Sequence, residues 1–311
     1  MNPSDRRAFL RQIGLSAAAF TGASAFAPRA LAVEPFDRPG PPRLKLSLAG
    51  YSFRNFFKHN QGRTRPETQA TITLFDFIDF CAKQNCDAEV TGYYFPSPIT
   101  DEFLLQLKRH AHLRGVALSG TAVGNTFALP PGAQRDAQIE HVKQWIRHAA
   151  TLGLPHIRIF AGSQPQGLTF AETKELCIRA IDACLGDAAR YGVFLGLENH
   201  GGIVAEPDEL LDIVRTLDNP WLGINLDSGN FHTVDPYADF ARCVPYAVNV
   251  QVKVEMQAKD QAKEAADLSR LVQILRDGHY QGYVALEYEA AEDPWQAVPR
   301  YLNELHSLLA G

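Results

Sequence analysis

The feature that most constrains the fold of this chain is an eightfold alternation of short apolar runs with amphipathic stretches. The runs are Leu44 to Phe53, Ala88 to Phe95, Val116 to Val123, His156 to Ala161, Val193 to Leu197, Leu222 to Leu226, Ala247 to Val254 and Tyr283 to Leu286. Runs of this length with little polar alternation predict parallel strands covered on both faces. Helical patterns follow them: Leu74 to Gln84, Asp101 to Arg114, Ala137 to Leu152, Thr169 to Arg190, a helix opening at Glu206 and Pro207, a short one between Asp235 and Tyr246, Asp267 to Asp277, and Asp293 to about Leu309. Thr169 and Glu172 form a capping box. Pro207 with Asp208 and Glu209 suits a first turn and its dipole, and Gly153 stands where a helix end favours a left-handed residue. Lys58 to Thr71 is polar and reads as a loop across one end of the fold. Eight such units predict an α/β protein of the (β/α)8 TIM barrel type. An open doubly wound sheet usually has fewer strands and a glycine-rich phosphate turn, and neither G-x-G-x-x-G nor a P-loop occurs here.

A barrel of this kind builds its site from residues at the C-terminal ends of its strands. For the last four strands these are Glu198, Asp227, Gln251 and Glu287. Taken singly, each reads as a cap or loop residue at the surface; their shared position makes them a set. Three carboxylates and an amide converging in a partly desolvated mouth repel one another, and a cation resolves the conflict. Oxygen-only ligation predicts one divalent metal, with magnesium or manganese favoured over cobalt or zinc.

The chain resembles the xylose isomerase-like superfamily of sugar isomerases and epimerases over about residues 43 to 310. The segments that carry the resemblance are AEVTGYYFP, LGLENHGG, INLDSGNFH, VNVQVKVE and VALEYE. It implies that Glu198, Asp227, Gln251 and Glu287 bind one divalent metal and that Glu198 and Glu287 exchange protons with a sugar substrate. Two departures bear on the reaction. Gln251 stands where many epimerases of the family have histidine, and Asn230 interrupts the D-x-x-H pattern common after the sixth strand, with His232 two residues further on.

The chemistry fits the residues. Isomerisation, epimerisation and β-elimination of keto sugars all begin with removal of a proton next to a carbonyl, and a metal holding the substrate oxygens stabilises the enediolate. The expectation is a metal-dependent keto-sugar isomerase or epimerase; a lyase, dehydratase or hydratase acting on 3-keto glycosides is the alternative, and a non-catalytic carbohydrate-binding protein a weaker one. Substrate-binding candidates near the same mouth are His200, Lys253, Glu89, Asn125 and Arg158. Each also has a plain structural reading: a hydrogen-bonded support for His200, a solvated amine for Lys253, and an ion pair between Glu89 and Arg158, which is the favoured reading of those two. Tyr51, Phe53, Tyr93, Tyr94 and Phe127 either stack on a sugar ring or pack the barrel rim.

Composition narrows the partners. With 46% hydrophobic and 21% charged residues in 311, the chain suits one large globular domain. A net charge of -5 without basic runs gives no footprint for nucleic acid, and a repair endonuclease of the same superfamily would need several histidine ligands and a basic groove. Residues 1–32 read as a twin-arginine signal peptide: Arg6 and Arg7, a weakly apolar segment from Ile13 to Ala27, and Ala30-Leu31-Ala32 as the cleavage site. They predict export to the periplasm or beyond, while the rest of the chain has no span of the roughly 18 apolar residues that a membrane helix needs. Residues 33–42, rich in proline, read as a linker, and 43–311 as the barrel. Cys81, Cys86, Cys177, Cys184 and Cys243 show no zinc spacing; they read as buried free thiols, with a Cys81–Cys86 bridge the one geometric alternative. The aromatic rim and residues 58–71 are compatible with a homo-oligomer, which no motif specifies.

Overall fold

The structure, a computed structural model, describes residues 35–61 and 70–310. The signal-peptide reading of residues 1–32 lies outside them. Eight parallel strands close into a barrel: β1 (Arg43–Ala49), β2 (Asp87–Glu89), β3 (Leu118–Ala122), β4 (His156–Ile159), β5 (Phe194–Glu198), β6 (Leu222–Asp227), β7 (Ala247–Val252) and β10 (Gln281–Leu286). The barrel closes where β1 pairs with β10 from Arg43 opposite Gln281 to Leu48 opposite Leu286. Strands β8 (Glu255–Met256) and β9 (Glu264–Ala265) form a small antiparallel hairpin after β7, outside the barrel and absent from the sequence-based pattern.

Among the described residues, eight helices follow the barrel strands: α1 (Leu74–Lys83), α2 (Asp101–Leu113), α3 (Ala133–Leu152), α4 (Phe170–Tyr191), α5 (Pro207–Leu217), α6 (Pro236–Cys243), α7 (Leu268–Asp277) and α8 (Pro294–Ala310). Their ends follow local chemistry. The Thr169–Glu172 capping box forms, and so does a second at Thr73 and Asp76. Gly153 adopts φ 82° just beyond α3, a conformation that glycine takes without steric cost.

Two predicted strands end far short of their apolar runs. The first stops at Ala49, where Gly50–Phe53 turn into a 3-10 helix, and β2 stops at Glu89 before a similar turn at Gly92–Tyr94. In both places an apolar run continues because the turn itself is buried: Phe53 and Tyr94 are sealed in the core, as is Phe127 beyond β3, and Tyr94 stacks on Phe57 with centroids 4.0 Å apart. These three rings therefore pack the barrel and are not free to stack on a ligand. All five cysteines are buried free thiols.

The stretch read as a linker has no regular secondary structure from residue 35 to 42, yet it is docked. Phe36 N–H donates to Pro245 O, and its ring meets Phe194 edge-on at 6.1 Å. Arg38 donates to the carbonyls of Val244, Pro245 and Ala247, and Gln281 binds the carbonyls of Pro39 and Pro41. The segment is thus a strap across the N-terminal end of the barrel, opposite the site. Among the described residues no helix is long and apolar enough to cross a membrane.

Candidate active site

Side chains at alternate strand positions point into the barrel, so an inward polar residue at the strand end is accompanied by the residue two before it. On β6 the pair is Asn225 and Asp227; on β7 it is Asn249 and Gln251, with Lys253 continuing the row. Arg158 from β4, Glu198 from β5, Glu89 from β2 and Glu287 just after β10 complete a polar layer at the mouth. All these residues except Lys253 are buried, from 0% exposure at Asp227 to 8% at Glu287.

The first cluster surrounds Glu198. Arg158 Nη1 donates to its Oε2 at 2.6 Å, while Asn230 Nδ2 and His200 Nδ1 lie 2.8 and 2.9 Å from its Oε1. Burial pushes this carboxyl up, but Arg158, then His200 and Lys253, outweigh it and hold Glu198 at about 2. Asn230, at the position where the family pattern has histidine, joins Glu198 to Lys253, whose Nζ is 3.3 Å from its Oδ1. His232 is exposed and outside this group.

The second cluster surrounds Lys253. Its ammonium lies 3.2 Å from Asp227, 3.5 Å from Glu287 and 2.5 Å from Glu289, and Gly229 leaves room for its stem. Burial works against the charge, but the three carboxylates raise Lys253 well above its ordinary value. Glu287 is nevertheless pushed well up, by burial first, with Lys253 opposing and Asp227 and Glu198 repelling. Asp227 is raised for the same reasons.

A third group lies beneath these. Asn249 Nδ2 donates to Glu89 Oε2 at 3.0 Å and to Asn225 Oδ1 at 2.8 Å. Asn225 Nδ2 donates to Gln251 Oε1 at 2.7 Å. Gln251 Nε2 donates to Glu89 Oε1 at 2.8 Å and reaches Glu287 Oε1 at 3.3 Å. Burial raises Glu89 to about 7, against the pull of Arg158, Asn249 and Gln251.

The expected metal ligands are therefore brought together, with their charges already met in part by Arg158 and Lys253. Among the described residues, no group of three or more His, Cys, Asp and Glu side chains is arranged to hold a metal ion. The chemistry of the carboxylates does fit a hard divalent cation. Asp227 Oδ2 is buried and is met by the Lys253 ammonium at 3.2 Å with no hydrogen bond of good geometry, and Glu287 is held by two contacts longer than 3.2 Å. Gln251 is turned away from the role of a fourth ligand: its oxygen faces Asn225, and its N–H groups, not its oxygen, face the carboxylates of Glu89 and Glu287.

The expected Glu89–Arg158 ion pair gives way to Arg158–Glu198, since Glu89 is taken by two amides. Asn125 is fastened to the backbone of Phe160 through both of its amide atoms, at 2.9 Å each. It lines, with Phe160 and His200, a cavity of about 170 Å³. Sequence reasoning misses Asn225, Asn249 and Glu289, and marks Asn230 only as a departure from the family pattern. The signal for the first two was present, as polar residues two positions before Asp227 and Gln251 on inward-facing sites.

A closed eight-stranded barrel whose C-terminal mouth gathers buried carboxylates, amides and two cations defines a class of α/β enzyme folds with the site at the strand ends. A family model described as xylose isomerase-like TIM barrel matches residues 75–305, and the chain belongs to that family. It is 25% identical over 232 residues to the "Putative hydroxypyruvate isomerase" of Homo sapiens, covering 66% of this chain and 80% of the human one. Among solved structures, L-ribulose 3-epimerase superposes with TM-score 0.69 at 12% identity, covering 86% of this chain and 95% of that one. The IolI protein, solved with a zinc atom, superposes with TM-score 0.64 at 17% identity, covering 85% and 96%. The fold is that of sugar isomerases and epimerases.

Proposed function

We propose that the protein is a keto-sugar isomerase or epimerase that removes a proton next to a carbonyl and depends on one divalent cation, magnesium or manganese. The observation that carries the reading is the convergence of three buried carboxylates, Glu198, Asp227 and Glu287, with the cationic groups of Arg158 and Lys253 at the barrel mouth. Those carboxylates would hold the cation, which when bound supplies Lewis-acid stabilisation of negative charge on substrate oxygen.

The chain's own groups divide the remaining work. Glu287 has the less committed carboxylate oxygens and is the proton acceptor. Glu198, gripped by Arg158, Asn230 and His200, orients substrate hydroxyls, and its partner His200 lines the cavity beside Asn125. Lys253 and Arg158 place positive charge where an enediolate develops negative charge, which favours the transition state over the ground state. The named activities of the human relative and of L-ribulose 3-epimerase belong to the same reaction type, which supports the reading.

The test offers hydroxypyruvate, L-ribulose and D-fructose to manganese-loaded protein in deuterated water. Deuterium entering product of unchanged formula supports isomerisation, whereas release of an unsaturated sugar from a 3-keto glycoside would transfer the protein to the lyases. Turnover of neither class would leave a carbohydrate-binding role. Export through the residue 1–32 leader is part of the proposal, and N-terminal sequencing of the mature protein checks it.

A further inference from the structure

The amides beneath the carboxylates close a ring through four side chains, Glu89, Asn249, Asn225 and Gln251, drawn from β2, β7 and β6. The two ends of an amide have the same shape, so which end points where must follow from what its neighbours can donate and accept. Here the neighbours decide it. A carboxylate offers acceptors alone, and both oxygens of the Glu89 carboxylate face amides, Asn249 at 3.0 Å and Gln251 at 2.8 Å. Each therefore turns nitrogen toward Glu89. Asn249 Nδ2 also meets Asn225 Oδ1, so Asn225 presents its nitrogen on the other side, where Gln251 Oε1 receives it at 2.7 Å. One carboxylate sets the direction of all three amides, in a volume with 0 to 1% exposure that admits no solvent to relax the pattern.

We propose that Glu89, through this ring, fixes Gln251 as a hydrogen-bond donor that positions Glu287, and that Gln251 gives no oxygen to a cation. Glu89, Asn225, Asn249 and Gln251 are then positioning residues, and any cation is held by carboxylates alone. Gln251 uses one N–H on Glu89 and turns the other toward Glu287 Oε1 at 3.3 Å. The ring stands independently of the reaction assigned above, because its geometry does not depend on the substrate.

Moving the carboxylate across the ring tests this. Asn225→Asp alone sets a carboxylate against the Gln251 oxygen, and Glu89→Gln alone sets an amide where both neighbours offer nitrogen. Each leaves a buried group unsatisfied, and each is expected to lower Tm by roughly 3–10 °C. The pair Glu89→Gln with Asn225→Asp keeps the net charge and satisfies the ring again with Gln251 reversed: its nitrogen on residue 225, its oxygen toward Glu287. The double variant is expected to melt above either single one. It is also expected to bind Mn²⁺ about tenfold tighter than wild type, since an oxygen now faces the carboxylates in place of N–H groups.

Additive losses in Tm would overturn the ring. Recovered Tm with unchanged Mn²⁺ affinity would overturn the assigned direction of Gln251. If neither protein binds Mn²⁺, the cation of the proposed function fails, and the Tm cycle still decides the ring. If the double variant does not fold while either single one does, the ring is wrong. Side-chain amide NMR of ¹⁵N-glutamine-labelled wild type gives a check without ring variants: the Gln251 amide, assigned by its loss in Gln251→Met, is expected to exchange slowly, and rapid exchange would overturn the proposal.

Discussion

Arg158→Met is the most informative single perturbation of the site. It keeps much of the apolar stem and removes the guanidinium that donates to Glu198 at 2.6 Å, with side-chain exposures of 8% and 2% for the two partners. Arg158 also lies over the Phe160 ring at 3.8 Å, a contact that the methionine stem retains in part. Removing one partner of a buried pair strands the other charge, at a cost of about 3–5 kcal/mol. For a chain of this size that lowers Tm by roughly 6–20 °C. His200 and Asn230 still bind the stranded carboxylate, which places the expected value at the lower end of that range. Adding Glu198→Gln removes the stranded charge, so the double variant is expected to be more stable than Arg158→Met alone by about 2 kcal/mol. Urea denaturation followed by circular dichroism near neutral pH measures both numbers.

The pH dependence follows with a definite sign. Glu198 is held at about 2, below its unfolded value of about 4.3. Its contribution is therefore present above the unfolded value and lost as pH falls toward 2. Without Arg158 burial is less opposed and the folded value rises, so the stability gap between wild type and variant shrinks as pH falls below the unfolded value. A loss smaller than about 1 kcal/mol, or strict additivity with Glu198→Gln, would refute the view that this pair is the charge-compensated centre of the site.

Other expected outcomes test separate parts of the molecule. His156 is buried and held by desolvation at about 4, below its unfolded value of about 6.5; folding favours its neutral form, so roughly 3 kcal/mol of stability is lost as pH falls from the unfolded value to the folded one. Tm measured against pH is expected to show that slope and to lose it in His156→Gln. Gly120→Ala places a Cβ into the His156 ring and is expected to cost at least about 2 kcal/mol in urea denaturation, because neither backbone nor buried ring can yield. Arg38→Ala removes three carbonyl contacts of the N-terminal strap and is expected to cost about 2 kcal/mol by the same measurement. Glu287→Gln is expected to lower kcat at least about 100-fold in the deuterium assay while leaving the circular dichroism spectrum unchanged.

The barrel and the ends of its strands were legible in the sequence because the signals are local. A strand buried on both faces is apolar along its length and stops where a polar side chain meets the mouth, so Glu198, Asp227 and Glu287 were marked by the runs they end. Capping residues such as Thr169 and Glu172 act over a single turn and were equally plain. The buried 3-10 turns after β1 and β2 misled the reading for the converse reason: their apolar character comes from the core they enter, which a run of residues does not distinguish from a strand.

What surrounds those carboxylates was decided only when the barrel closed. Arg158 meets Glu198 across 40 residues, Glu89 meets Gln251 across 162, and Arg38 reaches Ala247 across 209. No sequence spacing encodes such pairs, since they depend on the register in which eight strands come together. The same closure places Lys253 among three carboxylates and turns the Gln251 oxygen toward Asn225. Local pattern alone marks the strand-end residues Glu198, Asp227, Gln251 and Glu287; their partners and directions follow only from the closed barrel, because hydrogen-bond geometry and charge compensation are properties of neighbours in space.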